Sequence, residues 1–243
     1  MSSVKLLTPE SVSETVEESI NLGRMGQPHL FSNEELSKMG IINPMLEDQS
    51  VVNAYRDLRT SIITKIGKGP YSIMVSSVTK GGGASFTAMN LATSFIFDQH
   101  KTALLIDCNF KNPTLANSLQ VDYQYGLKHY LTGEVDDVKK VIHPTGIPRL
   151  RLVPAGLIES DLVEFFTSQK MYMFLHEVKN RYPDRVIILD APPVLESADS
   201  KILAELCDAA LLVVKYKGVM PGAIKKTVSA IDKSKVVGIV LNN

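Results

Sequence analysis

Cysteine is scarce in this 243-residue chain: Cys108 and Cys207 stand far apart and share no metal-ligand spacing. That excludes a disulfide framework and leaves two reduced thiols in a cytoplasmic protein as the expectation. Excess charge is missing too, since 26 Lys plus Arg balance 26 Asp plus Glu. The balance gives no footing for nucleic-acid partners or for generic binding to an anionic membrane. Long apolar runs are absent, and stretches such as 186–189 and 209–214 are far too short to span a bilayer. The N-terminus opens polar and then acidic, with no apolar signal core. A soluble protein is expected, held at a membrane only by a partner. The five histidines (29, 100, 129, 143, 176) have no ligand spacing and read as surface or turn residues. No Gly-x-Ser-x-Gly elbow occurs, and Ser77-Val78-Thr79-Lys80 fits Ser-x-x-Lys without the companion motifs of acyl-enzymes. No repeat or low-complexity tract stands out.

The most informative absence is a single lysine. Residues 72–90 read as strand, glycine-rich turn and helix, the order that seats a phosphate on unpaired N–H groups at a helix N-terminus. Gly81, Gly82 and Gly83 let the backbone curl around an anion where a Cβ would obstruct it. Ser85 is placed to offer its hydroxyl to Mg²⁺. A working loop of this type reads Gly-Lys-Ser/Thr, and here Ala84 takes the lysine position. The chain has the cradle of an ATP site without its main countercharge.

Residues 1–48 form an acidic N-terminal arm. Val12, Val16 and Ile20 share one helical face, and Ser32 followed by Glu35 reads as a capping box for a second short helix stopped by Gly40. Neither helix buries enough to fold alone, so a partly flexible docking or regulatory arm is expected, with a solvated tail that has no partner as the alternative. From residue 49 the pattern changes. One apolar helix face runs over 51–66, and strand candidates at 71–77, 102–106, 150–154, 185–189, 209–214 and 236–241 then alternate with helical stretches including 85–97, 168–181 and 221–231. Several strands are apolar throughout, as in sheets covered on both faces. The expectation for 49–243 is an α/β domain with a single doubly wound, mainly parallel sheet flanked by helices.

Ligands bind such sheets at the carboxyl ends of the strands. Three elements converge there: the glycine loop, Asp107 after Leu104-Leu105-Ile106, and Asp190 after Val186-Ile187-Ile188-Leu189. An aspartate at a strand tip beside a phosphate loop can hold Mg²⁺ directly or through water. Each alone is weak, because a strand-end Asp often caps the next turn.

With these residues in view, the sequence from 49 to 243 resembles the bacterial tyrosine kinases, the BY-kinases. These lie within the deviant P-loop group that includes the chromosome-partition and division-site ATPases. The family loop reads like Ser-Ser-x-x-Pro-Gly-Glu-Gly-Lys-Ser-Thr, followed by Asn-Leu-Ala; Ser76 to Phe86 and Asn90-Leu91-Ala92 occupy those places. Asp107-Cys108-Asn109-Phe110-Lys111 is similar to the family's Asp-x-Asp-x-Arg, and Asp190-Ala191-Pro192-Pro193 to its Asp-(Ser/Thr)-Pro-Pro. Asn53-x-x-Arg56-x-x-Arg59 resembles the Glu-x-x-Arg-x-x-Arg element through which members form rings, and the segment from Glu35 to Pro44 resembles the exosortase-linked branch of exopolysaccharide loci. The resemblance implies ATP or ADP with Mg²⁺ in a functional site. Lys80, Gly81, Gly82, Gly83, Ala84, Ser85, Phe86 and Asn242 would lie along the nucleotide, and Ser85, Asp107 and Asp190 would lie at the metal. It assigns the chemistry of an active member to Asp107 and Asp190, and oligomer contacts to Arg56 and Arg59. The implied partners are a membrane polysaccharide co-polymerase (a chain-length protein), another kinase subunit, or further copies of the chain.

Departures from the family point one way. Ala84 removes a preorganised positive charge, an effect that typically costs about 3–4 kcal/mol at a transition state. Asn109 removes a carboxylate, Lys111 lacks the planar fork of arginine, and Phe86 replaces a hydroxyl residue. No tyrosine cluster occurs; the eight tyrosines are scattered. The expected function is therefore that of a pseudokinase or regulatory subunit in exopolysaccharide (capsule) synthesis or export. An active protein-tyrosine kinase acting on a partner, and a partition-type positioning ATPase, stand as alternatives.

Overall fold

The computed structural model describes residues 29–67, 69–156, 165–217 and 219–242. The helix expected around Val12, Val16 and Ile20 lies outside the described residues. Seven strands make one sheet: β1 (Ser72–Ser77), β2 (Thr102–Asp107), β3 (His143–Pro144), β4 (Leu150–Val153), β5 (Arg185–Ala191), β6 (Ala209–Lys215) and β7 (Val236–Asn242), in the order β3-β4-β2-β5-β1-β6-β7. Every pairing is parallel except β3 with β4. The six expected strands are present; β3 is additional, and its two residues carry no apolar pattern that would announce it.

Apolar side chains fill both sides of this sheet. On one side, α2 (Gln49–Ile66) and α3 (Ala84–Ile96) cover a core that includes Ile62, Phe95, Leu105, Ile188 and Leu211. On the other, α5 (Leu127–Thr132), α6 (Gln169–Arg181) and α7 (Ala198–Leu206) enclose Met74, Leu104, Phe174, Leu189 and Leu203. Between them in the chain lies the four-residue α4 (Leu115–Ser118), and α8 (Pro221–Ser229) leads into β7. This is the doubly wound α/β arrangement expected from uninterrupted apolar strands. Neither α5 nor α7 was expected from periodicity, because six and nine residues repeat a helical face too few times.

Residues 29–47 pack on the first of these cores. The helix α1 (Asn33–Lys38) begins with the expected capping box: the Glu35 N–H donates to Ser32 Oγ at 3.2 Å, and the Ser32 N–H donates to Glu35 Oε2 at 2.7 Å. Beyond Gly40 the chain inserts Ile41 and Ile42, with at most 1% of their surface exposed. Asn90, buried in the middle of α3, clasps this segment. Its Oδ1 accepts from the Ile42 N–H at 2.8 Å, and its Nδ2 donates to Gly40 O and Phe86 O, both at 3.1 Å. A polar side chain buried in an apolar helix is stable only when satisfied in this way.

Candidate functional site

The order β2-β5-β1 places three strand tips side by side. After β1 the glycine loop turns into α3, whose N-cap is Gly83 in the left-handed conformation (φ 86°). Gly81 is left-handed as well, at φ 71°. At Gly82 a Cβ would lie 2.6 Å from Ser77 Cβ, and at Gly83 it would lie 2.0 Å from Asn242 Nδ2. The three glycines are therefore required by close packing and backbone sign. The loop is pinned from behind: the Val78 N–H donates to Val213 O and the Val194 N–H to Ser77 O, both at 3.0 Å, and Ser76 Oγ donates to Pro192 O at 2.6 Å. Asn242, at the end of β7, donates from Nδ2 to Gly82 O at 3.2 Å. It acts on the loop's backbone directly.

A cavity of about 500 Å³ opens in front of this loop. Its walls include Lys80, the three glycines, Ala84, Ser85 and Phe86 on one side, Asn109 to Asn112 on the second, and Ala191 to Pro193 with Glu196 and Asp199 on the third. The residues expected along a nucleotide are thus brought together around one space, with Asn242 behind the loop. The two strand-tip aspartates lie beneath the walls: Asp107 and Asp190 are register partners in β2 and β5, each about 1% exposed.

Asp107 accepts from the N–H groups of Asn109 (3.0 Å), Thr114 (3.2 Å) and Leu115 (3.2 Å), so it holds the 109–115 turn, whose residues Asn109 to Asn112 line the cavity. Burial raises its carboxyl to about 6, opposed by those three donors. Burial likewise lifts Asp190 well above the ordinary carboxyl range, the neighbouring Asp107 charge adding to the effect while the Ser85 hydroxyl pulls the other way. Asp190 Oδ2 is buried without a hydrogen-bond partner. An orphan carboxylate oxygen beside a serine at a helix start is a donor set that fits Mg²⁺, and the glycine cradle fits a phosphate. The fit is incomplete in charge, because Ala84, 8% exposed, supplies none. Among the described residues no group of three or more His, Cys, Asp or Glu side chains could hold a metal by itself.

Sequence reasoning missed Glu196. The Lys80 N–H donates to Glu196 Oε1 at 2.8 Å, and 116 residues separate the two, so no local pattern announces the contact. The arginine pair of α2 lies away from the cavity. Arg59 donates to Ser94 O at 2.5 Å, and Arg56 stacks over Phe97 with its guanidinium carbon 5.5 Å from the ring centre. The histidines differ in part from the expectation. His143 and His129 are partly buried; His143 Nε2 lies 2.6 Å from Tyr125 O, and the Gly126 N–H donates to His129 Nδ1 at 2.9 Å. Both free cysteines are buried. No helix among the described residues is long and apolar enough to cross a membrane.

A glycine loop between a central parallel strand and its helix, with two acidic neighbouring strand tips, defines an α/β protein of the P-loop class. The AAA domain family matches residues 71–236. Tyrosine-protein kinase YwqD of Bacillus subtilis (strain 168) is 30% identical over 191 residues, 77% of this chain and 79% of that protein. Tyrosine-protein kinase CpsD of Streptococcus agalactiae serotype III (strain NEM316) is 27% identical over 210 residues, 85% of this chain and 89% of that protein. The solved kinase domain of Escherichia coli tyrosine kinase ETK shares the fold, with a TM-score of 0.74 at 21% identity over 98% of this chain and 95% of that one. The chain belongs to the bacterial tyrosine kinase family of P-loop proteins.

Proposed function

We propose that this chain is a bacterial-tyrosine-kinase-like protein that keeps a phosphate cradle but has lost efficient phosphoryl transfer, and that works through protein contacts on the cytoplasmic side of a membrane. The observation that carries the reading is Ala84 at the first helical position after Gly83, where a working loop of this type places its lysine, so no charge meets a phosphate from the helix start. Were nucleotide bound, Ser85, Asp107 and Asp190 would hold Mg²⁺, whose charge would stand in part for the missing lysine. The remaining task of the chain's own groups is binding: the loop N–H groups receive phosphate, and Phe86, Phe110 and the two prolines exclude water.

Supported by the resemblance, the process served is exopolysaccharide synthesis or export. The partner is then a membrane polysaccharide co-polymerase or another kinase subunit, contacted through the 1–48 arm or through a homo-oligomer. Arg56, exposed and held over Phe97, is the member of the arginine pair open to a neighbour, whereas Arg59 is bonded within the chain.

The test is incubation of the purified protein with Mg-ATP, reading ADP release and phosphotyrosine. Both should stay at the background of Asp107→Ala. Phosphotyrosine that appears in the wild type and vanishes in Asp107→Ala would overturn the reading. It would favour the second one, an active kinase for a partner's tyrosines, which draws support from the retained Ser85–Asp190 contact.

A further inference from the structure

The phosphate loop is already engaged by an anion of the protein's own. Glu196 Oε1 accepts the Lys80 N–H at the front of the glycines, 2.8 Å away, and Glu196 lines the same cavity as Gly81 and Ser85. The carboxylate is aimed by a turn: the N–H groups of Glu196 and Ser197 both donate to Pro193 O, at 3.0 and 3.1 Å. Ser197 then caps α7. The contact fixes a carboxylate at the front of the loop, four residues ahead of the helix start at Ala84, where its charge faces an incoming anion. The charge around the cavity agrees. Its titratable wall residues are two lysines, Lys80 and Lys111, and two carboxylates, Glu196 and Asp199. Asp107 and Asp190 lie beneath. A polyphosphate entering such a space meets no net positive charge.

We propose that Glu196 is a specificity-determining residue of this cavity: a built-in anion at the front of the phosphate loop that disfavours bare phosphate ligands. The inference rests on the cavity being a phosphate cradle, and it adds to that reading the group that controls entry. Repulsion between unit charges near 4 Å in water corresponds to a change in affinity of about fivefold. Screening by salt reduces it.

The test is calorimetry with ADP, without divalent cation, on the full chain carrying no change, Glu196→Gln, Ala84→Lys, or both. Glutamine keeps an acceptor for the Lys80 N–H and removes only the charge, so a purely structural clamp would leave affinity unmoved. The expected result is about fivefold tighter ADP binding on Glu196→Gln in both backgrounds, a gain that shrinks in 0.5 M salt. A gain from Ala84→Lys with none from Glu196→Gln would overturn the role of Glu196 and leave the cradle standing. If none of the four proteins binds ADP, although each keeps the thermal unfolding of the wild type, the cradle itself falls and this inference falls with it.

Discussion

Replacing Asp190 by asparagine should make the metal-free protein more stable at alkaline pH. Asp190 is about 1% exposed and leaves Oδ2 without a partner. Its register partner is Asp107, which is equally buried. Burial raises both carboxyls, Asp107 to about 6 and Asp190 well above its ordinary value. The folded chain therefore keeps these protons to higher pH than the unfolded chain does, and folding stability falls as pH rises. The cost is absent below about pH 4, where both states are protonated, and grows as pH climbs through the folded values. A shift of about two units, as at Asp107, corresponds to about 3 kcal/mol. Asp190 is the better position to change, because Asp107 also holds three backbone N–H groups. An asparagine at 190 retains an oxygen for the Ser85 hydroxyl. Urea unfolding without divalent cation should then show Asp190→Asn more stable than the wild type at pH 8, with the difference shrinking towards pH 4.5. A variant less stable at pH 8, or an effect equal at both pH values, would refute the argument that burial of this carboxylate is uncompensated.

Further expectations concern the loop and the segment clasped to α3. Gly82→Ala brings a Cβ to 2.6 Å from Ser77 Cβ, and Gly81→Ala meets open space at φ 71°. Thermal unfolding should rank Gly82→Ala as the costlier, at about 2–3 kcal/mol against about 1 for Gly81→Ala. Asn90→Ala leaves the buried Ile42 N–H and the Gly40 carbonyl without their partner. It should cost about 2–3 kcal/mol in urea unfolding and open residues 29–47 to protease before the rest of the chain.

Much of the architecture was legible because β5 and β6 are apolar almost throughout, and β1 has the apolar centre Ile73-Met74-Val75, the imprint of strands covered on both faces. The capping box was legible for a local reason, as Ser32 and Glu35 are three residues apart. The candidate site was half legible. The glycines and both aspartates fall at strand ends, where their position in sequence fixes their position in space. The Lys80–Glu196 contact joins two segments 116 residues apart, and the Asn90 clasp joins segments about 50 apart. Periodicity carries no information on such pairings. A buried asparagine inside the apolar run of α3 was the one available sign of the clasp. The two-residue β3 is defined by its pairing with β4 alone.

The central claim is that a phosphate cradle remains while its electrostatics have been muted at residue 84, and Mg-ATP titration of the wild type beside Ala84→Lys tests it most directly. The account predicts weak binding by the wild type and a gain of at least about fivefold on restoring the lysine, the size expected of one charge near 4 Å in water. Tight binding by the wild type with no gain in Ala84→Lys would contradict it.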